Sequence, residues 1–198
     1  MTTIIGTAGD DTLGGSGGED LFDLSAGGGD FVHGYEGDDA FYLGAALDAS
    51  DVINGDLGFD TVTISGAYKG GLLISDAMFN GVEAMTLVGG SSYNLTFGSG
   101  SVAGGDAGSR FSLDARLDAG DRLKLDLSQL SGGGTADLYL EGGSARIVGG
   151  GIDLLVRVTS QTGRVQVDGG RGDDIVIFDG QFTAGDRFYG GAGHDTLA

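Results

Sequence analysis

The chain has 198 residues, with 43 glycines, no proline, cysteine or tryptophan, and a formal charge of −19. That length suits one domain or one continuous elongated domain, and the absence of cysteine excludes disulfides and thiolate metal sites. So acidic a surface argues against nucleic acid, whose phosphates need clustered Lys and Arg, and no apolar run is long enough to span a bilayer. High glycine and high charge would suit a disordered tail, but 40% of the residues are apolar and fall in short regular runs. With only 10 Lys and Arg the acids cannot be neutralised internally, so a compact state calls for bound cations.

In chain order, residues 1–6 lack the basic and apolar regions of a Sec-type signal peptide. Glycine–aspartate turns then begin. Gly6-Thr7-Ala8-Gly9-Asp10-Asp11-Thr12-Leu13 is followed by Gly15-Ser16-Gly17-Gly18-Glu19-Asp20-Leu21-Phe22. Next come Gly27-Gly28-Gly29-Asp30-Phe31-Val32 and Gly34-Tyr35-Glu36-Gly37-Asp38-Asp39-Ala40-Phe41. Asp11, Asp20, Asp30 and Asp39 stand at steps of 9, 10 and 9. After a short interruption Asp51 and Asp60 repeat the step of 9, the second within Gly55-Asp56-Leu57-Gly58-Phe59-Asp60. Residues 1–63 therefore read as an N-terminal block.

Residues 64–164 lack such turns but keep strand signals. Residues 75–81 predict one short helical turn before a strand at 82–88. Arg122-Leu123-Lys124-Leu125-Asp126-Leu127 alternates apolar and polar positions, as do residues 136–140, 152–158 and 164–167. Glycine clusters at 132–134, 142–143 and 149–151 punctuate them. The pattern fits a β-helix-like bridging region stacked on apolar contacts and poor in ions; an embedded sandwich would show the same periodicity. Residues 165–198 restore the turns, with Gly169-Gly170-Arg171-Gly172-Asp173-Asp174, then Asp186, then Gly190-Gly191-Ala192-Gly193-His194-Asp195-Thr196-Leu197.

The shared unit is Gly-Gly-x-Gly-x-Asp-x-apolar-x. Glycine tolerates positive φ and lets the backbone approach a ligand, while aspartate offers the hard oxygen that Ca²⁺ prefers. The apolar residue two places on points inward by strand alternation. Two units make one coil of about 18 residues, so same-edge turns stack at the inter-strand spacing of about 4.8 Å. That predicts an all-β parallel β-roll in which Asp11 faces Asp30, Asp20 faces Asp39, Asp30 faces Asp51, Asp39 faces Asp60, and Asp174 faces Asp195. Stacked carboxylates repel unless a cation lies between them. The expected ligands are these aspartates with Asp186, and the turn backbone at Gly9, Gly18, Gly28, Gly37, Gly58, Gly170, Gly172, Gly191 and Gly193. They would hold several Ca²⁺ ions, about five by this pairing.

These motifs resemble the repeats-in-toxin (RTX), or hemolysin-type calcium-binding, repeats. Residues 190–197 match that consensus at every defined position, and the resemblance spans roughly residues 5–63 and 168–198. It implies a parallel β-roll with Ca²⁺ held by aspartates and turn carbonyls. It also implies a secreted, extracellular bacterial protein exported by type I secretion, with an uncleaved signal near the C-terminus. The chain stops at Ala198 inside a repeat, so it reads as a piece of a larger protein.

No catalytic constellation stands out, and the expectation is a module that is not an enzyme. Gly14-Gly15-Ser16-Gly17-Gly18 fits a nucleophile elbow formally but lies inside a repeat turn. His33 and His194, the two histidines, lack zinc-protease spacing. Glu83, Asp114, Asp126, Asp137, Glu141 and Asp153 remain outside the repeats with no spacing that singles out a glycosidase pair. The tyrosines with Arg110, Arg116 and Arg122 could line a glycan surface. The expected function is a calcium-binding structural module. Its alternative is an adhesion or carbohydrate-binding module, with a glycan or cell-surface partner, attached to a secreted enzyme such as an alginate epimerase or protease.

Overall fold

The computed structural model describes residues 1–99, 110–160, 162–180 and 182–198. Each glycine–aspartate turn releases a short strand that the next glycines end. The first block gives β1 Thr2–Ile5, β2 Thr12–Gly14, β3 Asp20–Asp23, β4 Phe31–His33, β5 Ala40–Gly44, β6 Val52–Asn54 and β7 Thr61–Ile64. Then follow β8 Tyr68–Ile74, β9 Phe79–Asn80, β10 Ala84–Leu87 and β11 Tyr93–Phe97. Where the turns lapse the strands lengthen, in β12 Arg110–Arg116, β13 Arg122–Asp126, β14 Ser131–Glu141, β15 Ser144–Val148 and β16 Gly151–Ser160. The last are β17 Val165–Arg171, β18 Ile175–Phe178, β19 Arg187–Ala192 and β20 Thr196–Leu197.

The strands wind into a parallel β-solenoid of about 9 turns, with no helix among the described residues. One face is a continuous ten-stranded sheet in the order β1-β3-β5-β7-β10-β12-β14-β16-β18-β20. The opposite face is divided into a four-stranded sheet, β2-β4-β6-β9, and a six-stranded sheet, β8-β11-β13-β15-β17-β19. The division falls in a single coil. Between β7 and β10 the chain lays down two strands: β8 pairs forward with β11, and β9 pairs back with β6. The described residues between 64 and 164 therefore continue the coil, and their parallel strands do not form the alternative sandwich.

Two local expectations are corrected. Residues 75–81 form a hydrogen-bonded turn, Met78 N–H to Ser75 O at 3.1 Å, that runs into β9 instead of a helical turn. Gly132, Gly133 and Gly134 do not separate strands but lie within β14, where the register to β16 slips between Ser131 and Thr135. A glycine run can be absorbed as an irregularity because neighbouring strands on both sides hold the backbone.

Alternation places apolar residues on the inner side of the long sheet in every coil. By register Ile4, Phe22, Phe41, Val62, Met85, Leu113, Leu138, Val156, Val176 and Leu197 form one column along the axis. The six-stranded sheet contributes Leu95, Leu125, Ile147 and Val167 to a facing column. Ring stacking reinforces it, with Phe22 on Phe41 at 4.8 Å and Tyr68 on Tyr93 at 6.0 Å between centroids. A solenoid's stability is approximately a sum over such neighbour contacts. Leu125→Ala, at 0% exposure, should cost about 2–5 kcal/mol in denaturant unfolding. The outward-facing Lys124→Ala on the same strand should stay within about 0.5 kcal/mol; equal losses would show that the alternation of β13 is wrong.

Candidate metal centre

The five aspartate pairs expected from spacing are neighbours on consecutive coils. Backbone N–H of Asp11 donates to Asp30 Oδ1 (3.0 Å), Asp20 to Asp39 (2.7 Å), Asp30 to Asp51 (3.1 Å), Asp39 to Asp60 (2.8 Å) and Asp174 to Asp195 (3.2 Å). The same clasp joins Val165 N–H to Asp186 Oδ1 at 2.8 Å and extends to Glu83, whose Oε2 accepts from Asp60 N–H at 2.8 Å. Asp20, Asp39, Asp60, Asp174 and Asp195 stand at or before strands of the long sheet, on one edge of the roll. Asp11, Asp30, Asp51 and Asp186 stand on the other edge, before β2, β4, β6 and β19.

A second ladder runs beside the first. Asp10 Oδ1 accepts from Gly29 N–H, Asp38 Oδ1 from Phe59 N–H, Asp153 Oδ1 from Asp173 N–H, and Asp173 Oδ1 from His194 N–H, all at 2.8–2.9 Å. Consecutive coils are thus clasped in both directions by adjacent residues. Spacing alone missed these acids; the doubled Asp10-Asp11, Asp38-Asp39 and Asp173-Asp174 were the visible signal.

Six of the turns fall into two kinds, set by the residue four before the aspartate. Where that residue is Thr7 or Ser16, its N–H donates to Oδ2 of Asp11 or Asp20 at 2.6 Å, and its hydroxyl adds a second bond. Asp51 and Asp186 are capped instead from three residues before, by Asp48 and Thr183. Where it is Tyr35, Asp56, Gly170 or Gly191, it adopts positive φ, at 77°, 69°, 94° and 106°. In these turns Asp39 Oδ2, Asp60 Oδ2 and Asp174 Oδ2 are buried with no hydrogen-bond partner. The residues are 2%, 0% and 0% exposed. Burying a carboxylate oxygen unpartnered is costly, and Tyr35 and Asp56 add backbone strain that glycine would avoid.

Glycine has two separate duties here. A Cβ on Gly34, Gly55, Gly169 or Gly190 would fall on the carboxylate of the aspartate five residues later, so these glycines open the space that each Oδ2 occupies. A Cβ on Gly28, Gly37, Gly58 or Gly193 would fall on the turn backbone one coil earlier, at Gly9, Gly18, Gly37 and Gly172. Gly28, Gly37, Gly58, Gly170, Gly172, Gly191 and Gly193 all have positive φ. Gly9 and Gly18 do not, and at both an added Cβ would meet open space or a distant hydroxyl. The reason for glycine expected from sequence therefore does not hold at those two positions.

No family model, curated protein or solved structure matches this chain. Among the described residues no cluster of three or more His, Cys, Asp or Glu side chains is placed to hold a metal ion. Any ion at these edges would draw on a pair of carboxylates and on turn carbonyls.

The remaining candidates are engaged elsewhere. The Ser16 hydroxyl is hydrogen-bonded to Asp20 Oδ2 at 2.8 Å. His33 Nδ1 meets Asp56 Oδ2 at 2.9 Å and its ring stacks against Tyr35. Asp114 pairs with Arg116, and Asp137 with Arg110. Arg110 and Arg116 lie on β12 in the long sheet and Arg122 on β13 in the six-stranded sheet, so the three do not share a face.

Burial pushes Asp60 and Asp174 up to about 6, against hydrogen bonds that lower them and neighbouring carboxylates that raise them further. Burial also raises Asp30, Asp39, Asp51 and Glu83. The hydroxyl of Ser16 draws Asp20 down to about 2. Asp60 and Asp174 favour the folded state most when protonated, below the usual carboxylate range near 4, and that contribution is lost as pH rises through about 6. Asp20 acts oppositely, but only as pH falls toward about 2. Metal-depleted protein should therefore unfold at higher urea concentration at pH 5 than at pH 7. A midpoint that rises between those values would contradict this arrangement.

Proposed function

We propose that the chain is a calcium-binding structural module of a secreted bacterial protein, similar to RTX β-rolls, whose ends complete their folding on meeting extracellular calcium. The observation that carries this reading is the set of buried, partnerless oxygens on Asp39, Asp60 and Asp174, with Asp39 stacked on Asp60 and Asp174 on Asp195, in a chain of charge −19. A hard divalent cation is the group that would satisfy such oxygens, and it would offset the repulsion between Asp39 and Asp60 and between Asp174 and Asp195. Those pairs, with carbonyls of their glycine turns, are the residues that fit Ca²⁺ best. Asp11, Asp20, Asp51 and Asp186, capped by local N–H groups, need a cation less. Asp30 belongs to the other edge with Asp11 and Asp51.

The role follows from thermodynamics. Binding that exists only in the folded state is folding free energy. Extracellular modules hold Ca²⁺ with Kd of about 10⁻⁴ to 10⁻³ M, so a calcium-poor cytosol would keep the ends open for type I export and the outside would close them. The module acts as a scaffold and not as a catalyst.

Circular dichroism should show β signal gained, and thermal unfolding should move upward, when millimolar Ca²⁺ replaces EDTA. A spectrum and melting curve unchanged by calcium would sink the proposal. The substitution Asp60→Asn separates the two sides of the effect: it should stabilise the protein in EDTA by removing a buried charge, yet weaken calcium binding measured by calorimetry about tenfold or more. Asp186→Asn, in a capped turn, should change calcium binding little.

A further inference from the structure

The six-stranded sheet turns a basic face outward on an otherwise acidic protein. Lys69 on β8, Arg122 and Lys124 on β13, Arg146 on β15, Arg164 just before β17 and Arg187 on β19 are all exposed. They are six of the chain's 10 Lys and Arg. Among the described residues the ion pairs are His33–Asp56, Arg110–Asp137 and Arg116–Asp114, so none of these six is paired.

Register lines them up. Asn94, Lys124, Arg146, Gln166 and Arg187 face one another strand to strand, a row with no acid in it. A parallel row lies two residues earlier, with Arg122 beside Ser144 and Arg122 N–H donating to Ser92 Oγ at 3.0 Å. Between the rows runs an open groove of about 550 Å³ lined by Arg122, Lys124, Ser144, Arg146, Arg164 and Gln166. Side chains in one row repeat at the strand spacing of about 4.8 Å, so the row is about 20 Å long. Two residues further along, Asp126 and Asp168 return on the same face, and they bound the basic strip on that side.

We propose that this strip docks a linear acidic polysaccharide, one bearing a carboxylate or sulfate on its successive sugars. The chemistry matches on three counts. Cations at a one-dimensional repeat complement anions at a similar repeat, and guanidinium forks bind carboxylate and sulfate bidentately. The neutral amides of Asn94 and Gln166 and the hydroxyls of Ser92 and Ser144, interleaved with the cations, suit sugar hydroxyls. The strip is also narrow. A DNA duplex, with one charge per about 1.7 Å of axis, would press dense phosphate against Asp126 and Asp168 beside the strip. Stacking of single-stranded bases needs aromatic platforms, and on this sheet Tyr93 is buried, leaving Tyr189 at one end. The inference does not rest on the calcium reading, because the strip lies on a sheet face and not on the turns. It gives the carbohydrate-binding alternative a location and a ligand chemistry.

The test is calorimetric titration of the full chain, in millimolar Ca²⁺, with polygalacturonate, its methyl-esterified neutral form, heparin, a 20-mer oligonucleotide duplex and anionic phospholipid vesicles. The expected result is binding of polygalacturonate or heparin, none of the esterified chain, and weakening with added salt. The double substitution Lys124→Gln, Arg146→Gln should weaken it about tenfold or more with the circular dichroism spectrum unchanged. The double substitution Arg110→Gln, Arg116→Gln, on the opposite face, should leave it intact and controls for overall charge. Calcium bridging between polymer and acidic turns would survive the double substitution, and that result overturns the proposal. So would equal binding of the esterified polymer, tighter binding of duplex or vesicles, or no binding to either acidic polysaccharide.

Discussion

Everything in this molecule depends on equivalent positions of successive coils lying one strand spacing apart. Parallel stacking at about 4.8 Å superimposes like on like: leucine over leucine, glycine over glycine, aspartate over aspartate. For apolar residues this is favourable without qualification, and the column from Ile4 to Leu197 extends through the ten-stranded sheet. For carboxylates it is both bond and burden. In the main ladder an Asp Oδ1 satisfies a backbone N–H of the coil before, as in Asp39 N–H to Asp60, and so supplies the hydrogen bond that the turn cannot make to itself. The same stacking places negative charges in series, and burial deepens their mutual repulsion.

The residue four before the aspartate decides how that burden is met. Thr7 and Ser16 turn their own N–H and hydroxyl onto Oδ2, and the carboxylate is satisfied within one turn. Tyr35, Asp56 and Gly170 take the left-handed backbone, and Oδ2 of Asp39, Asp60 and Asp174 is left to a partner from outside. One repeat thus yields two electrostatic states by a change at a single position. All three partnerless oxygens lie on the edge that feeds the long sheet.

Much of the roll was legible because its period is local. Steps of 9 and 10 between aspartates, with an apolar residue at +2, give strand length, edge alternation and the pairs Asp11–Asp30 and Asp20–Asp39 directly; the other three pairs cross a step of 12, from Asp39 to Asp51 or from Asp174 to Asp186. The divided second face was not legible. The extra pair β8 and β9 is made of ordinary strand residues, and only pairing partners two coils apart distinguish it from one bent strand. Nor was the split between capped and partnerless carboxylates, although its cause is written at Thr7, Ser16, Tyr35 and Asp56; the sign of φ at a tyrosine is a property of the stacked turn, not of tyrosine. The basic row was hidden for a different reason. Lys124 and Arg146 meet because β13 pairs with β15 in one register, and coil lengths in the middle vary, so no fixed step connects them.

Coil lengths also bear on how the ends and the middle differ in dependence on ions. In the first block clasped aspartates are separated by 19 to 21 residues and the strands are short, so each coil carries few apolar contacts relative to its turns. In the middle, β14 with 11 residues and β16 with 10 bring long backbone ladders and the inward Leu138, Leu140, Leu154 and Val156. Hydrophobic burial there scales with strand length, while the cost of stacked carboxylates does not arise at the same density. The described strands of the middle are held by these ladders and apolar contacts. The ends, which have less apolar area per coil and partnerless oxygens in their turns, are where ionic conditions would have leverage. A solenoid with nearest-neighbour energetics permits such uneven dependence along one continuous sheet.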